Sequence, residues 1–152
     1  MPVPTASAEN MDRLFFDTNV ILDVLEERAP WFPEAAECLA LVREGRCAGA
    51  VTAITLSDIA YIQRPADTAK VYATFARLLG FLKIASVDQN VVEATLQRQL
   101  ADIEDGFQLE AGRRWNATHL LTRNVKDFPS NAGIRILPPA EYLADRGLHP
   151  GR

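Results

Sequence analysis

Short apolar runs alternate along this chain with longer stretches whose apolar residues recur every three to four positions, and that alternation narrows the possible folds more than any other feature. Leu14-Phe15-Phe16 gives way at once to Asp17-Thr18-Asn19, after which Val20, Ile21, Val24 and Leu25 fall on one helical stripe. The pattern then repeats. Ala35 to Glu44 reads as a helix closed by Gly45, with Pro30 and Pro33 interrupting before it, and Cys47 to Thr52 reads as a small-residue strand. Ile54, Asp58 and Ile62 share a helical row, a further helix runs from Asp67 to Leu82, and Lys83 to Val87 is a short strand before a helix capped by Asp88. Asp102-Ile103-Glu104-Asp105 opens a helix to about Trp115, Thr118 to Thr122 and Ile134 to Leu137 are strand-like, and Pro138-Pro139 starts a last short helix. Such alternation predicts a mostly parallel sheet covered on both faces, the α/β class in its three-layer α/β/α sandwich form.

A chain of 152 residues fits one domain, which buries roughly 70% of the surface exposed when unfolded. The expected layout is a loose tail over 1–11, a single domain over 12–146 and a short tail over 147–152. No apolar run reaches the ~18 residues of a membrane span, and Met1 to Asn10 carries neither a basic nor an apolar segment. The expectation is a cytoplasmic protein with no membrane partner. Two cysteines, Cys38 and Cys47, cannot build a disulfide framework and read as buried thiols. With 16 basic and 20 acidic residues the net charge is −4, so no overall field draws in a polyanion. A polyanion has to be held locally, by clustered Arg and Lys or through a bound cation.

In an open α/β sheet, ligands sit beyond the carboxyl ends of the strands. The polar residues expected there are mostly acids: Asp17 after the first strand, Asp58 one turn into the helix after the second, Asp102, Glu104 and Asp105 in a first helical turn, and Asn124 and Asp127 after the Thr118 strand. Converging carboxylates repel one another, and a divalent cation is the counter-charge that relieves this. Oxygen-only donors suit Mg²⁺ or Mn²⁺ rather than Zn²⁺, and such a cation polarises phosphodiesters for hydrolysis.

Each acid also has a purely structural role open to it. Asp17 is placed as a helix N-cap, Thr55-x-x-Asp58 matches a capping box, the 102–105 acids complement a helix dipole, and Asp127 before Phe128-Pro129 suits an Asx-turn. His119 inside a strand reads as a packed or surface residue rather than a catalytic base, and Trp115 and Phe107 as core. Arg113, Arg114, Arg123, Lys126 and Arg135 read either as a solvated face or as phosphate contacts.

Four stretches, taken together, resemble the motif blocks of PIN-domain proteins: Leu14 to Asp23, Thr52 to Tyr61, Asp102 to Gln108, and Leu121 to Phe128. Their order and spacing match too, over about Arg13 to Leu143, and small stand-alone bacterial VapC-type toxins look nearest. The resemblance implies a central parallel sheet between helices and a Mg²⁺- or Mn²⁺-dependent ribonuclease acting on RNA. It also implies an antitoxin partner and a homodimer, with Trp31-Phe32 and the helix from Asp67 to Leu82 as candidate contacts. By position, Asp17, Asp58, Asp105 and Asp127 take the places of the metal-binding and catalytic acids. Thr18, Asn124 and Glu104 are supporting residues, and Arg123 and Lys126 are candidates for RNA contact. Two departures stand out: Asp58 occupies a usual Glu position, and Gly106 a usual Ala position, which predicts a loose first turn.

Two other readings compete. A phospho-acceptor receiver-like domain would phosphorylate Asp58 and read the phosphate with Thr122 and Lys126, but leaves Asp105 without a role. An inactive PIN scaffold would act by binding alone.

Overall fold

A computed structural model describes residues 10–65 and 67–150. In chain order the elements are β1 (Arg13–Phe16), α1 (Thr18–Leu25), α2 (Phe32–Arg43), β2 (Ala48–Val51), α3 (Ala53–Ile62), α4 (Thr68–Leu79), β3 (Lys83–Ile84), α5 (Gln89–Arg98), α6 (Ile103–Arg114), β4 (His119–Leu121), β5 (Arg135–Leu137) and α7 (Pro139–Asp145). Among the described residues the strands form one all-parallel sheet in the order β3-β2-β1-β4-β5. The three-layer expectation is met. Side chains alternate along β1, so Leu14 and Phe16 enter one core with α1, α2 and α7, while Phe15 enters the other with α5 and α6.

That strand order decides where a ligand can sit. From β1 the chain winds outward through β2 and β3, then crosses to the other side of β1 to lay down β4 and β5. The winding reverses between β1 and β4, and the crevice at their carboxyl ends is the switch point of the sheet. Receiver-like sheets run 2-1-3-4-5, with β1 between β2 and β3; here β1 lies between β2 and β4, so the receiver-like reading is corrected on topology.

Most helix starts follow the capping chemistry read from the sequence. The Asp17, Asp67, Asp88 and Asp102 carboxylates accept from the backbone N–H groups of Thr18, Ala69, Val91 and Glu104. Three local readings change. α2 begins at Phe32 rather than Ala35, because Pro33 lies in its first turn, where no backbone N–H is needed. The strand expected over Lys83 to Val87 contracts to two exposed edge residues. α3 is capped by Thr52, whose hydroxyl accepts from the Thr55 N–H, so no capping box employs Asp58.

Gly106 has a packing reason as well. A Cβ there would lie 2.7 Å from Thr95 Cγ2 of α5, so the absence of a side chain lets the two helices approach closely. The loose turn expected at this position is instead a tight helix–helix contact. The N-terminal tail expected over 1–11 lies outside the described residues up to Glu9, and the C-terminal one over 147–152 does so at Gly151 and Arg152. Leu148 packs against the larger core.

Candidate functional site: an acid cleft at the switch point

β1 and β4 run in register, Phe16 beside Leu121, which sets their next residues, Asp17 and Thr122, side by side at the crevice. Asp17 donates its N–H to Leu121 O at 3.0 Å. Its carboxylate is only 6% exposed and is held from several sides. Oδ1 accepts from Thr18 N at 2.9 Å and faces Gln108 Nε2 at 3.4 Å; Oδ2 accepts from the Thr122 hydroxyl at 2.8 Å and from Asn19 Nδ2 at 3.3 Å. Asp17 is thus both a helix cap and a fixed acid. Burial pushes its pKa up, while the Thr122 and Thr18 hydrogen bonds pull the other way.

Around it opens a cleft of about 320 Å³, lined by Asp17, Thr18, Asn19, Asp58, Glu104, Asp105 and Asn124, with Arg28, Tyr61 and Asp102 also on its wall. Three elements therefore deliver carboxylates to one place: the end of β1, the second turn of α3 and the first turn of α6. Their crowding is visible in their proton affinities. Glu104 is raised to about 8, chiefly by donating a hydrogen bond to Asp58, then by burial and by the charges of Asp58, Asp102 and Asp17. Asp105 is raised to about 6 by burial and by the charges of Asp17, Asp102 and Asp127.

Hard carboxylate oxygens with raised proton affinity are the donor set that Mg²⁺ or Mn²⁺ takes, and in this respect the residues fit such an ion. As the side chains lie, with Glu104 turned onto Asp58, no three acids converge on one point among the described residues. A cation that displaced the Glu104 proton would free Asp58 and Glu104 to join Asp17 and Asp105.

The remaining sequence candidates divide. Thr18 and Asn124 line the cleft, and Asn124 N donates to the Thr122 hydroxyl at 3.1 Å. Asp127 and Lys126 lie exposed on a single 3-10 turn, Val125–Asp127, outside the lining; Asp127 reaches the site only as a charge felt by Asp105. Arg123 is committed elsewhere: Nε and Nη2 donate to Asp23 at 2.7 and 3.3 Å, and its guanidinium lies 3.9 Å above the Trp31 ring. His119 is a packed residue, edge-on to Tyr142 at 4.9 Å, and Cys38 and Cys47 are buried free thiols.

Sequence reasoning missed Gln108, which is fully buried beneath the cleft and bonded to Thr52, Thr55, Thr18 and Asp17. The available signal was a long amide three residues after Asp105, on the same face of its helix. Arg28 and Tyr61 were missed for a different reason, since a residue on a cleft rim has no periodic signature.

Among solved structures, the chain is similar to a toxin–antitoxin complex from Klebsiella pneumoniae, at 23% identity and a TM-score of 0.64, over 83% of this chain and 97% of that one. It is also similar to VapBC2 from Rickettsia felis bound to a promoter DNA fragment, at 14% identity and a TM-score of 0.60, over 82% and 96%. No curated protein matches the sequence. The family model for the PIN domain matches residues 13–126, from the first residue of β1 into the turn that follows β4. That span takes in the switch point and the whole acid cleft, and the chain belongs to the PIN-domain family.

Proposed function

We propose that this PIN-domain protein is a Mg²⁺- or Mn²⁺-dependent endoribonuclease and the toxin of a type II toxin–antitoxin pair. One observation carries the catalytic part: Asp17, Asp58, Glu104 and Asp105 share a cleft at the sheet's switch point, and among the described residues none of them forms an ion pair. One buried and three half-buried carboxylates gathered without an internal cation suit a cation taken from solution.

Asp17 and Asp105, with Asp58 and Glu104, would hold the ion, which when bound offsets their charge and polarises a phosphodiester. The chain's own groups do the positioning. Thr122, Asn19 and the Thr18 N–H fix both oxygens of Asp17, so no reorientation is needed when substrate arrives. Thr18 and Asn124 present a hydroxyl and an amide to the cleft, and Asp127 adds negative charge from outside it. Lys126, exposed on the adjoining turn, is the better placed of the two basic candidates for an RNA phosphate, since Arg123 is held by Asp23.

The partner reading rests on likeness to solved toxin–antitoxin complexes. It is supported by an open apolar groove of about 800 Å³ between α1, α2 and α4, walled by Leu25, Phe32, Leu78 and Phe81. An antitoxin segment laid there is the expected restraint on the nuclease, and a homodimer its expected state.

Asp17→Asn tests the reading. The amide keeps the cap and the space but not the charge, so a single-stranded oligoribonucleotide should no longer be cut, while the thermal midpoint stays within a few degrees. Wild-type cleavage by that variant, or by the native protein in EDTA, would defeat the mechanism. A native protein that cuts no RNA in Mg²⁺ or Mn²⁺ would leave the binding-only scaffold as the better account.

A further inference from the structure

Beneath the acids lies a chain of hydroxyls whose direction is fixed by one amide. Thr52, Thr55 and Gln108 are all 0% exposed, so each of their protons needs an acceptor within the protein. The Thr52 hydroxyl, which already accepts from Thr55 N, donates to Gln108 Oε1 at 2.7 Å. Gln108 Nε2 then faces Thr55 Oγ1 at 2.8 Å, and Asp17 Oδ1 and Thr18 Oγ1 at 3.4 Å each. The flipped amide would set its carbonyl oxygen against the Asp17 carboxylate, so this orientation is the one the site selects. Thr55 Oγ1 accepts from the amide, and the only other partner recorded for it among the described residues is Thr18 Oγ1, 2.8 Å away. Were Thr18 the donor of that bond, the proton of the buried Thr55 hydroxyl would be stranded. Thr55 therefore donates to Thr18, and the Thr18 hydroxyl, on the wall of the cleft, keeps its own proton turned outward.

We infer that Gln108 is a positioning residue of this site: its amide holds Asp17 and polarises the Thr52–Thr55–Thr18 hydroxyls so that Thr18 presents a hydrogen-bond donor to an anionic oxygen in the cleft. The inference rests on the metal-nuclease reading and adds to it a residue that touches neither metal nor RNA.

The full chain is titrated with Mn²⁺ alone, followed by electron paramagnetic resonance, and assayed for turnover of a single-stranded oligoribonucleotide. Gln108→Met, similar in volume but unable to hydrogen-bond, should weaken Mn²⁺ binding about 10–100-fold, as loss of an outer-shell partner does. It should also lower kcat while leaving KM within about twofold. Leu109→Ala, in the other core beside it, destabilises the same helix and should bind Mn²⁺ within about twofold of wild type. Should Gln108→Met fail to fold, Thr55→Val serves: it removes the hydroxyl that links the amide to Thr18, Asp17 keeps its own partners, and kcat falls at least about tenfold. The inference is overturned if folded Gln108→Met keeps wild-type Mn²⁺ affinity and kcat, if Leu109→Ala loses as much, or if Thr55→Val turns over normally. Wild-type protein that binds no Mn²⁺ takes down the nuclease reading and this inference together.

Discussion

The acids of this molecule live in two kinds of surroundings. Away from the cleft, the two buried carboxylates both have guanidinium partners, Asp23 with Arg123 at 2.7 Å and Arg28 at 4.0 Å and Glu110 with Arg98 at 2.6 Å and Arg113 at 3.3 Å, and half-buried Asp12 has Arg146. Inside the cleft the same chain places Asp17, Asp58, Glu104 and Asp105 together and supplies hydroxyls and amides, but no ion pair among the described residues. Even Arg28 on the rim is turned to Glu26, at 3.0 Å. Arginine is the residue this sequence uses wherever a buried carboxylate only has to be neutralised. That no arginine pairs with the cleft acids among the described residues is what supports the proposal of an external cation.

Breaking the balanced side should have the larger effect. Arg123→Ala leaves Asp23, 1% exposed, with only the more distant Arg28. Removing one partner of a buried pair costs about 3–5 kcal/mol, so the thermal midpoint should fall by roughly 10 °C, and an unchanged midpoint would show that the pair is not what holds the α1 turn against the β4 loop. On the cleft side, stability comes from packing. Gly106→Ala forces a Cβ to 2.7 Å from Thr95 Cγ2, and overpacking of this kind costs about 1–3 kcal/mol. A neutral Gly106→Ala, measured by denaturant unfolding, would mean that α5 and α6 separate easily beneath Asp105.

That contrast also explains what the sequence showed and what it concealed. β1 and β4 were legible as short apolar runs that end sharply in polar residues, and the starts of α1, α5 and α6 because each opens on an aspartate whose side chain bonds a free N–H group of the helix. The acids were legible as a set because the order of strands and helices sends Asp17, Asp58 and Asp105 toward one edge. Two things stayed hidden. Whether Arg123 meets RNA or a buried carboxylate depends on Asp23, a hundred residues away in sequence and on another element. Gln108 sits on a face of α6 that periodicity marks as core, and only the strand register shows that the core there is roofed by carboxylates. The sequence also suggests a capping box at Thr55 and Asp58, because it cannot reveal that the helix starts one residue after Thr52.

Removing a charge from the unbalanced side should stabilise the metal-free protein. Asp105→Asn relieves repulsion by Asp17, Asp102 and Asp127, the charges that help raise its proton affinity. In EDTA its midpoint should rise by a few degrees above wild type. Mn²⁺ should reverse the order, because on the proposed function the wild-type cleft gains from the ion and the variant lacks one of its proposed ligands. A destabilised Asp105→Asn in EDTA would mean that this carboxylate serves the fold rather than the site.

The smallest effect is the slope of stability with pH. Glu104 binds its proton more tightly in the folded chain, with its pKa moved from 4.5 to about 8, and Asp105 moves from 3.8 to about 6. A folded state that holds more protons than the unfolded one loses stability as pH rises. The contribution of each group is complete below its unfolded value and gone above its folded one, so metal-free protein should weaken across about pH 4 to pH 8. Glu104→Gln removes the upper part of that slope, and between pH 6 and pH 8 its midpoint in EDTA should be flatter than that of wild type by a degree or two. If Glu104→Gln keeps the wild-type slope, the Glu104 carboxyl does not hold its proton through neutrality, and the cleft is less crowded with charge than its geometry implies.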